Sequence, residues 1–356
     1  MEQINNIPQV SVIPDAEERK QIRKQYDRTA LVLIVDILIF NLGAWTMMYL
    51  ICAYYGGGFG REAIMAGREI FRRNELLSTL YSCIIPIAAE TASIILGVKL
   101  LGLNIRSFFT RDGYGGGTVV KLITLSAGMQ TAASLLAVIL AFLLGSLGLT
   151  GATPDFSGRT SLGANIILCV YACIVGPILE ELLFRGVVLQ SMRKYNERFA
   201  IFLSALIFGL MHQNYQQFLA GFLIGIPLAI VAVKYNSILP TIFAHIFVNT
   251  LATLTSGVIQ FVDPEYYESI AGGAVNADIS LPQGGAAAAI IVNFIVTYGF
   301  LIAAIIVGTI SLVKGRNMTV PTPAGKARSR IIYSSVLWWI VFAAYLFLCF
   351  VYPFIR

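Results

Sequence analysis

Glu180-Glu181-Leu182-Leu183-Phe184-Arg185 lies inside an apolar run that extends over 162–190. Three ionisable groups in six residues would each oppose insertion into lipid by roughly 2.5–3.5 kcal/mol at the centre of a span. A run this long and apolar therefore reads as a transmembrane helix whose charged groups face a cavity or one another. The spacing supports pairing. Glu181 and Arg185 stand four apart, which puts them on one face of a helix with the acid N-terminal, a geometry for an internal ion pair. Glu180 points about 100° away and is left to face a cavity.

Outward from this stretch the chain is apolar almost throughout. It has 356 residues, of which 57% are hydrophobic and 12% charged, and its mean hydropathy is +0.77. Soluble domains carry about 25% charged residues. Nine candidate spans are expected, at 29–55, 78–101, 119–147, 162–190, 199–216, 218–235, 238–261, 286–313 and 331–354. The runs are long and continuous, without the alternation of an outer-membrane barrel. The fold expected is thus an all-α, polytopic membrane helix bundle with no β-sheet. Residues 1–28 are polar and the first apolar run is too long for a signal h-region, so no cleavable leader is expected. Gln213-Asn214-Tyr215-Gln216-Gln217 reads as a tight turn at one membrane face, and 56–77 as an amphipathic interfacial helix.

Lys and Arg set the expected orientation. With the N-terminus cytoplasmic, inside segments hold eighteen basic residues and outside segments six, as the positive-inside rule requires. The net charge of +6 is spread over loops rather than gathered in a stripe, so nucleic-acid binding is not expected; the partners are the bilayer and a substrate within it. The five cysteines form no Cys-x-x-Cys pair and read as buried free thiols. Gly113-Tyr114-Gly115-Gly116-Gly117 reads as a flexible loop and lacks the Lys-Ser/Thr of a phosphate-binding loop.

The only histidines, His212 and His245, both lie in apolar stretches. Phe208 precedes His212 by one helical turn, and Asn249 follows His245 by one. Glu180 and His212 lie at similar distances from the basic turn near Asn196, so antiparallel helices bring them to one depth, with His245 somewhat nearer the cytoplasmic face. A buried carboxylate of this kind can serve as general base on a water, with an imidazole sharing the proton. A second imidazole with an amide N–H can stabilise an oxyanion. Two histidines and one glutamate are equally a catalytic zinc set. Asp36 and Glu90 are further acids within spans, read chiefly as hydrogen-bonded packing groups, with a proton path or substrate channel as the alternative.

Glu180-Glu181-x-x-x-Arg185, Phe208-x-x-x-His212 and His245-x-x-x-Asn249, in that order on successive helices, resemble the CAAX protease and bacteriocin-processing (CPBP, or Abi) family of intramembrane proteases. The motifs cover 180–249. The resemblance implies a protease core over 119–262, preceded by a tail and two spans in 1–118 and followed by a loop and two spans in 263–356. It implies endoproteolysis of a membrane-associated peptide or protein, with Glu180 and His212 activating water, His245 and Asn249 forming the oxyanion site, and Glu181 and Arg185 supporting the pocket or holding a substrate carboxylate. A metal-free, glutamate-dependent mechanism is preferred, because an Asn249 amide is a poor zinc ligand and the His-Glu-x-x-His pattern is missing. Zinc on Glu180, His212 and His245 is the alternative. A bacterial plasma membrane is the expected location, where peptide, pheromone, bacteriocin or membrane-protein substrates stand beside prenylated ones. A proton-coupled transporter and a catalytically silent immunity or scaffold protein are the rival readings.

Overall fold

The computed structural model describes residues 14–111, 113–147, 161–262, 285–313 and 323–355. Most of the 263–285 loop, the 314–322 part of the basic C-terminal segment, and Arg159 and Arg356 lie outside the described residues. The described chain is helical, and its one strand-like feature is an isolated antiparallel bridge between Phe109 and Ser237.

Helix α1 (Ala16–Leu38) starts at Asp15, whose carboxylate accepts from the Glu18 N–H at 2.8 Å, with Glu17 and Glu18 complementing the positive end of the helix dipole. A π-helical turn (Ile39–Gly43) joins it to α2 (Ala44–Gly56). Gly57, at φ 77°, reverses the chain into α3 (Arg61–Arg73). A Cβ on Gly56 would overlap the Ala63 carbonyl, and one on Gly67 the Cys52 carbonyl, so α3 lies antiparallel against α2. The helix expected at 56–77 is therefore present, as one arm of a hairpin.

Helix α4 (Glu75–Leu101) is capped by Asn74 and ended by Gly102, and it packs along α1. Helix α5 (Gly116–Ser146) absorbs the last two glycines of the expected Gly113–Gly117 loop. The site-bearing stretch is one continuous rod with two wide turns: α6 (Leu162–Val170), a π turn (Tyr171–Val175), α7 (Gly176–Glu181), a second π turn (Leu182–Val188) and α8 (Leu189–Met192). Then come α9 (Glu197–Leu210), α10 (Tyr215–Tyr235), α11 (Leu239–Val262), α12 (Gly285–Val313), α13 (Pro323–Ser329), α14 (Val336–Phe350) and α15 (Tyr352–Ile355).

Among the described residues, six stretches are long and apolar enough to cross a membrane: Ala16–Gly56, Glu75–Leu101, Gly116–Ser146, Leu162–Met192, Tyr215–Tyr235 and Ile290–Gly308. A seventh, Gly325–Ser334 with Val336–Phe350, is bent by 75°. Each of the nine expected spans is represented by a helix, and the chain is an integral, multi-pass membrane bundle. One expectation is corrected in detail. The span at 199–216 ends at Leu210, and its 14 residues reach about 21 Å, short of the ~30 Å hydrocarbon core. Asn214 caps α10 by accepting from the Gln217 N–H at 2.8 Å. The reversal therefore occupies Met211–Asn214, and Tyr215–Gln217 belong to the next helix. The cysteines are all free, but Cys169 is exposed and Cys173 only half-buried rather than buried, because that face of the rod turns outward.

One continuous hydrophobic cluster joins α1, α4, the 183–192 stretch, α9, α10 and α14; Tyr26, Leu33, Phe184, Val187, Phe208 and Trp338 are all buried in it. Trp338 Nε1 donates to the Tyr26 carbonyl at 2.9 Å, which fastens α14 to α1. A second cluster, with Leu122, Ile224, Leu228 and Val248, packs α5, α10 and α11 together. Gly97 allows α4 to meet the 182–188 turn, since a Cβ there would overlap Val187. Gly97→Val is accordingly expected to destabilise the bundle by about 1–3 kcal/mol through overpacking. Combining it with Val187→Ala should restore much of the loss in thermal unfolding of the detergent-solubilised protein.

Candidate active site

Pro177 shapes the site locally. In the π turn before it, the Gly176 N–H bonds back five residues to the Tyr171 carbonyl. The next carbonyl in that register, Ala172, would need the amide of residue 177, and proline has none. Asn249 supplies the missing donor: its Nδ2 lies 3.0 Å from the Ala172 oxygen. A side chain from α11 thus completes the backbone of the rod that carries the acids.

One turn further on, Glu181 is the centre of the polar network. Its Oε1 lies 2.9 Å from Arg185 Nη1 and 3.0 Å from His245 Nδ1. The side chains of Glu181 and Arg185 are 0% exposed. Because this carboxylate already receives a guanidinium, it acts as acceptor toward His245, and the proton of that contact sits on Nδ1. His245 Nε2 is then turned to the neighbouring acid, with Glu180 Oε2 at 3.5 Å. Glu180 keeps 14% of its side-chain surface exposed, so of the two acids it is the one that an incoming molecule can reach.

Arg185 is held on three sides. Nη2 donates to the Gly225 carbonyl of α10 at 3.3 Å, and Cζ stands 4.2 Å from the Phe208 ring centroid. Gly225 and Ala205 make this close approach feasible, since a Cβ on Gly225 would stand 3.0 Å from Ala205 and 3.3 Å from Arg185 Nη2. Phe208 is also edge-on to both imidazoles, with centroids 5.4 Å from His212 and 5.5 Å from His245. His212 sits in the turn after α9, where its Nδ1 is 2.9 Å from the Phe208 carbonyl, which accepts the Nδ1 proton. A Cβ on Gly221 would stand 3.2 Å from that ring, so this glycine lets α10 lie against it.

The structure thus gathers Glu180, Glu181, Arg185 and His245 into direct contact. It brings His212 alongside through Phe208, and Asn249 one turn along α11 from His245. The imidazole within ion-pair distance of Glu180 is that of His245, whereas the motifs implied His212 for that partner. Among the described residues no three His, Cys, Asp or Glu side chains converge as a metal-holding group. Sequence reasoning missed the Ala172 carbonyl, Gly225 and the pairing of His245 with Glu181. Of these, Pro177 in an otherwise helical run was the one visible signal.

Residues 162–251 match the family model described as type II CAAX prenyl endopeptidase Rce1-like. Over 89 residues the chain is 33% identical to a protein of Bacillus subtilis (strain 168) named "Putative membrane peptidase YdiL"; the aligned stretch makes up 25% of this chain and 36% of that protein. The chain therefore spans about a third of the length of the curated relative it matches. No solved structure matches. Both similarities agree with the CPBP resemblance read from the three motifs, and the family-model segment contains all six site residues.

The ion pair yields a stability test. Arg185→Met removes one partner of a fully buried pair and is expected to cost about 3–5 kcal/mol. Glu181→Leu in the same chain should recover part of that loss, because the acid is no longer left without its cation. Thermal unfolding of the single and double variants in detergent measures the difference.

Proposed function

We propose that this chain is an intramembrane endopeptidase that cleaves membrane-associated peptides or proteins by metal-free hydrolysis. The observation that carries the reading is the Glu180–His245 pair, held in register by Glu181 and Arg185 inside a multi-pass bundle. The matches over the same segment, to a type II CAAX prenyl endopeptidase model and to a protein named as a membrane peptidase, support it.

In this mechanism Glu180 takes a proton from a water molecule, and the oxygen attacks the substrate carbonyl carbon. Once protonated, Glu180 donates to His245 Nε2, which shares that proton. The carbonyl oxygen becomes an oxyanion in a site of low dielectric; the second Nδ2 hydrogen of Asn249 is assigned to it, and His212, whose Nδ1 proton serves the Phe208 carbonyl, joins it as a donor from Nε2 in the imidazolium form. The proton passes to the leaving nitrogen as the C–N bond breaks, giving a carboxylate and an amine. Glu181 and Arg185 hold His245 in its tautomer, in the way a buried acid orients the histidine of a hydrolytic triad. The metal-free form is supported by Asn249, whose amide is a poor zinc ligand and already serves the Ala172 carbonyl. The basic residues support a cytoplasmic N-terminus, and a bacterial plasma membrane is the proposed location.

Glu180→Gln is expected to lower kcat by about 10²–10⁴-fold on a fluorogenic lipidated peptide, with thermal unfolding little changed; His245→Gln should lower kcat as much and also lower the unfolding temperature, because it disturbs the buried contact with Glu181. Full turnover in purified Glu180→Gln protein would remove that residue as base. The chelator-treated, metal-free protein should retain its activity. Activity lost with chelator and restored by zinc would replace the proposed mechanism with a metal-dependent one. No cleavage of any lipidated or hydrophobic peptide would favour the silent scaffold.

A further inference from the structure

Helix α4 carries its buried polar residues on one line. Thr79, Cys83, Glu90 and Ser93 follow one another at helical spacing, with Pro86 between them on the same face, and all five are buried. From Thr79 to Ser93 the line runs for about 21 Å along the axis. Among the described residues Thr79 Oγ1, Glu90 Oε2 and the Tyr345 hydroxyl of α14 are buried without a hydrogen-bond partner, and Asp36 of α1 and Ser93 have only each other.

These groups meet one another. Asp36 sits beside Ser93. Tyr345 is within electrostatic reach of Asp36 and Glu90. Tyr171, on the π turn, is within reach of Glu90, Glu180, Cys83 and Asp36. The charged groups facing Glu90 are Glu180 and Asp36. Other buried polar atoms also lack partners, among them the Tyr26 hydroxyl and Ser126 Oγ, but Thr79, Glu90, Ser93, Asp36 and Tyr345 lie on α4 or within reach of Glu90. Buried polar atoms without protein partners are the places where proteins hold internal water. Acids at membrane depth face such wet spaces.

We propose that this face of α4 is a water path, running from the Glu75 end past Thr79 and Cys83 to Glu90, where Asp36, Ser93 and Tyr345 gather, and on to Glu180. On the hydrolytic reading above, on which its use depends, each bond cut consumes one water, and the path resupplies it to Glu180 while a substrate covers the exposed side of that carboxylate. The helices that build it, α1, α4 and α14, all lie outside the segment matched by the family model, so they would be part of the working enzyme rather than additions to it.

Radiolytic hydroxyl-radical labelling of the full chain in lipid nanodiscs tests the path without using activity, because radicals form from the water at each position. Cys83, Tyr171 and Tyr345 are expected to be oxidised severalfold faster, after correction for intrinsic reactivity, than Met192 and Phe184, which are fully buried in the apolar core. Labelling of Cys83 and Tyr345 at the level of those two controls would overturn the path. Thr79→Val keeps the side-chain shape and lies some 16 Å along the helix from Glu90. It should lower labelling of Tyr345 and reduce kcat severalfold with KM unchanged; unaltered labelling and kcat would also overturn the path. Labelling of all three residues in a chain that cleaves nothing would support the path while sinking the protease reading.

Discussion

The carboxylate of Glu181 is the constraint around which the centre of this molecule is built. Fully enclosed, it cannot stand alone as a charge, and it is met by a guanidinium from its own helix and an imidazole 64 residues away. Arg185 in turn reaches the Gly225 carbonyl on α10 and the Phe208 ring on α9. One buried acid therefore fixes the relation of the α6–α8 rod, α9, α10 and α11. A buried pair adds little net stability against apolar replacements, but it admits few alternative arrangements. Here it sets the rotation of α11 and so aims His245 Nε2 at Glu180.

The backbone of the rod is adapted to the same end. Two π turns flank the short α7 segment that carries the acids, and such turns are frequent at functional sites. The first leaves the Ala172 carbonyl without an amide because residue 177 is proline, and Asn249 completes it. The motif His245-x-x-x-Asn249 thus makes two attachments to one rod, one turn apart. The imidazole fastens to the acid and the amide to the backbone. That accounts for the presence of both residues on α11 before any catalytic role is assigned to them.

The core is not confined to the segment that the family model matches. Ile22 and Tyr26 near the start of the described chain, Phe184 and Phe208 at its centre, and Trp338 and Tyr345 near its end share one apolar cluster. Trp338 ties the last long helix to the first through the Tyr26 carbonyl, and Arg328 pairs with Glu18 at 2.7 Å nearby. The outer helices also bring Asp36, Glu90 and Tyr345 to the flank of the site, so the surroundings of Glu180 are set by the whole bundle.

Composition and run length by themselves determined that this is an all-α membrane bundle, because an apolar run in lipid must satisfy its own backbone and a helix does so within the segment. They also picked out Glu180, Glu181, Arg185, His212, His245 and Asn249, because polar groups that are costly in lipid stand out in a chain this apolar. The Glu181–Arg185 pair was legible too, since both partners lie on one helix at fixed spacing. The partner of Glu180 was not. Equal distances from a turn favoured His212, but the earlier end of α9 put that residue in a turn facing its own backbone. The pairing of His245 with both acids depends on how α11 is rotated against a rod whose π turns shift the helical register. Only the tertiary structure decided that, because helix rotation is settled by contacts between residues far apart in the chain, and no local pattern encodes them.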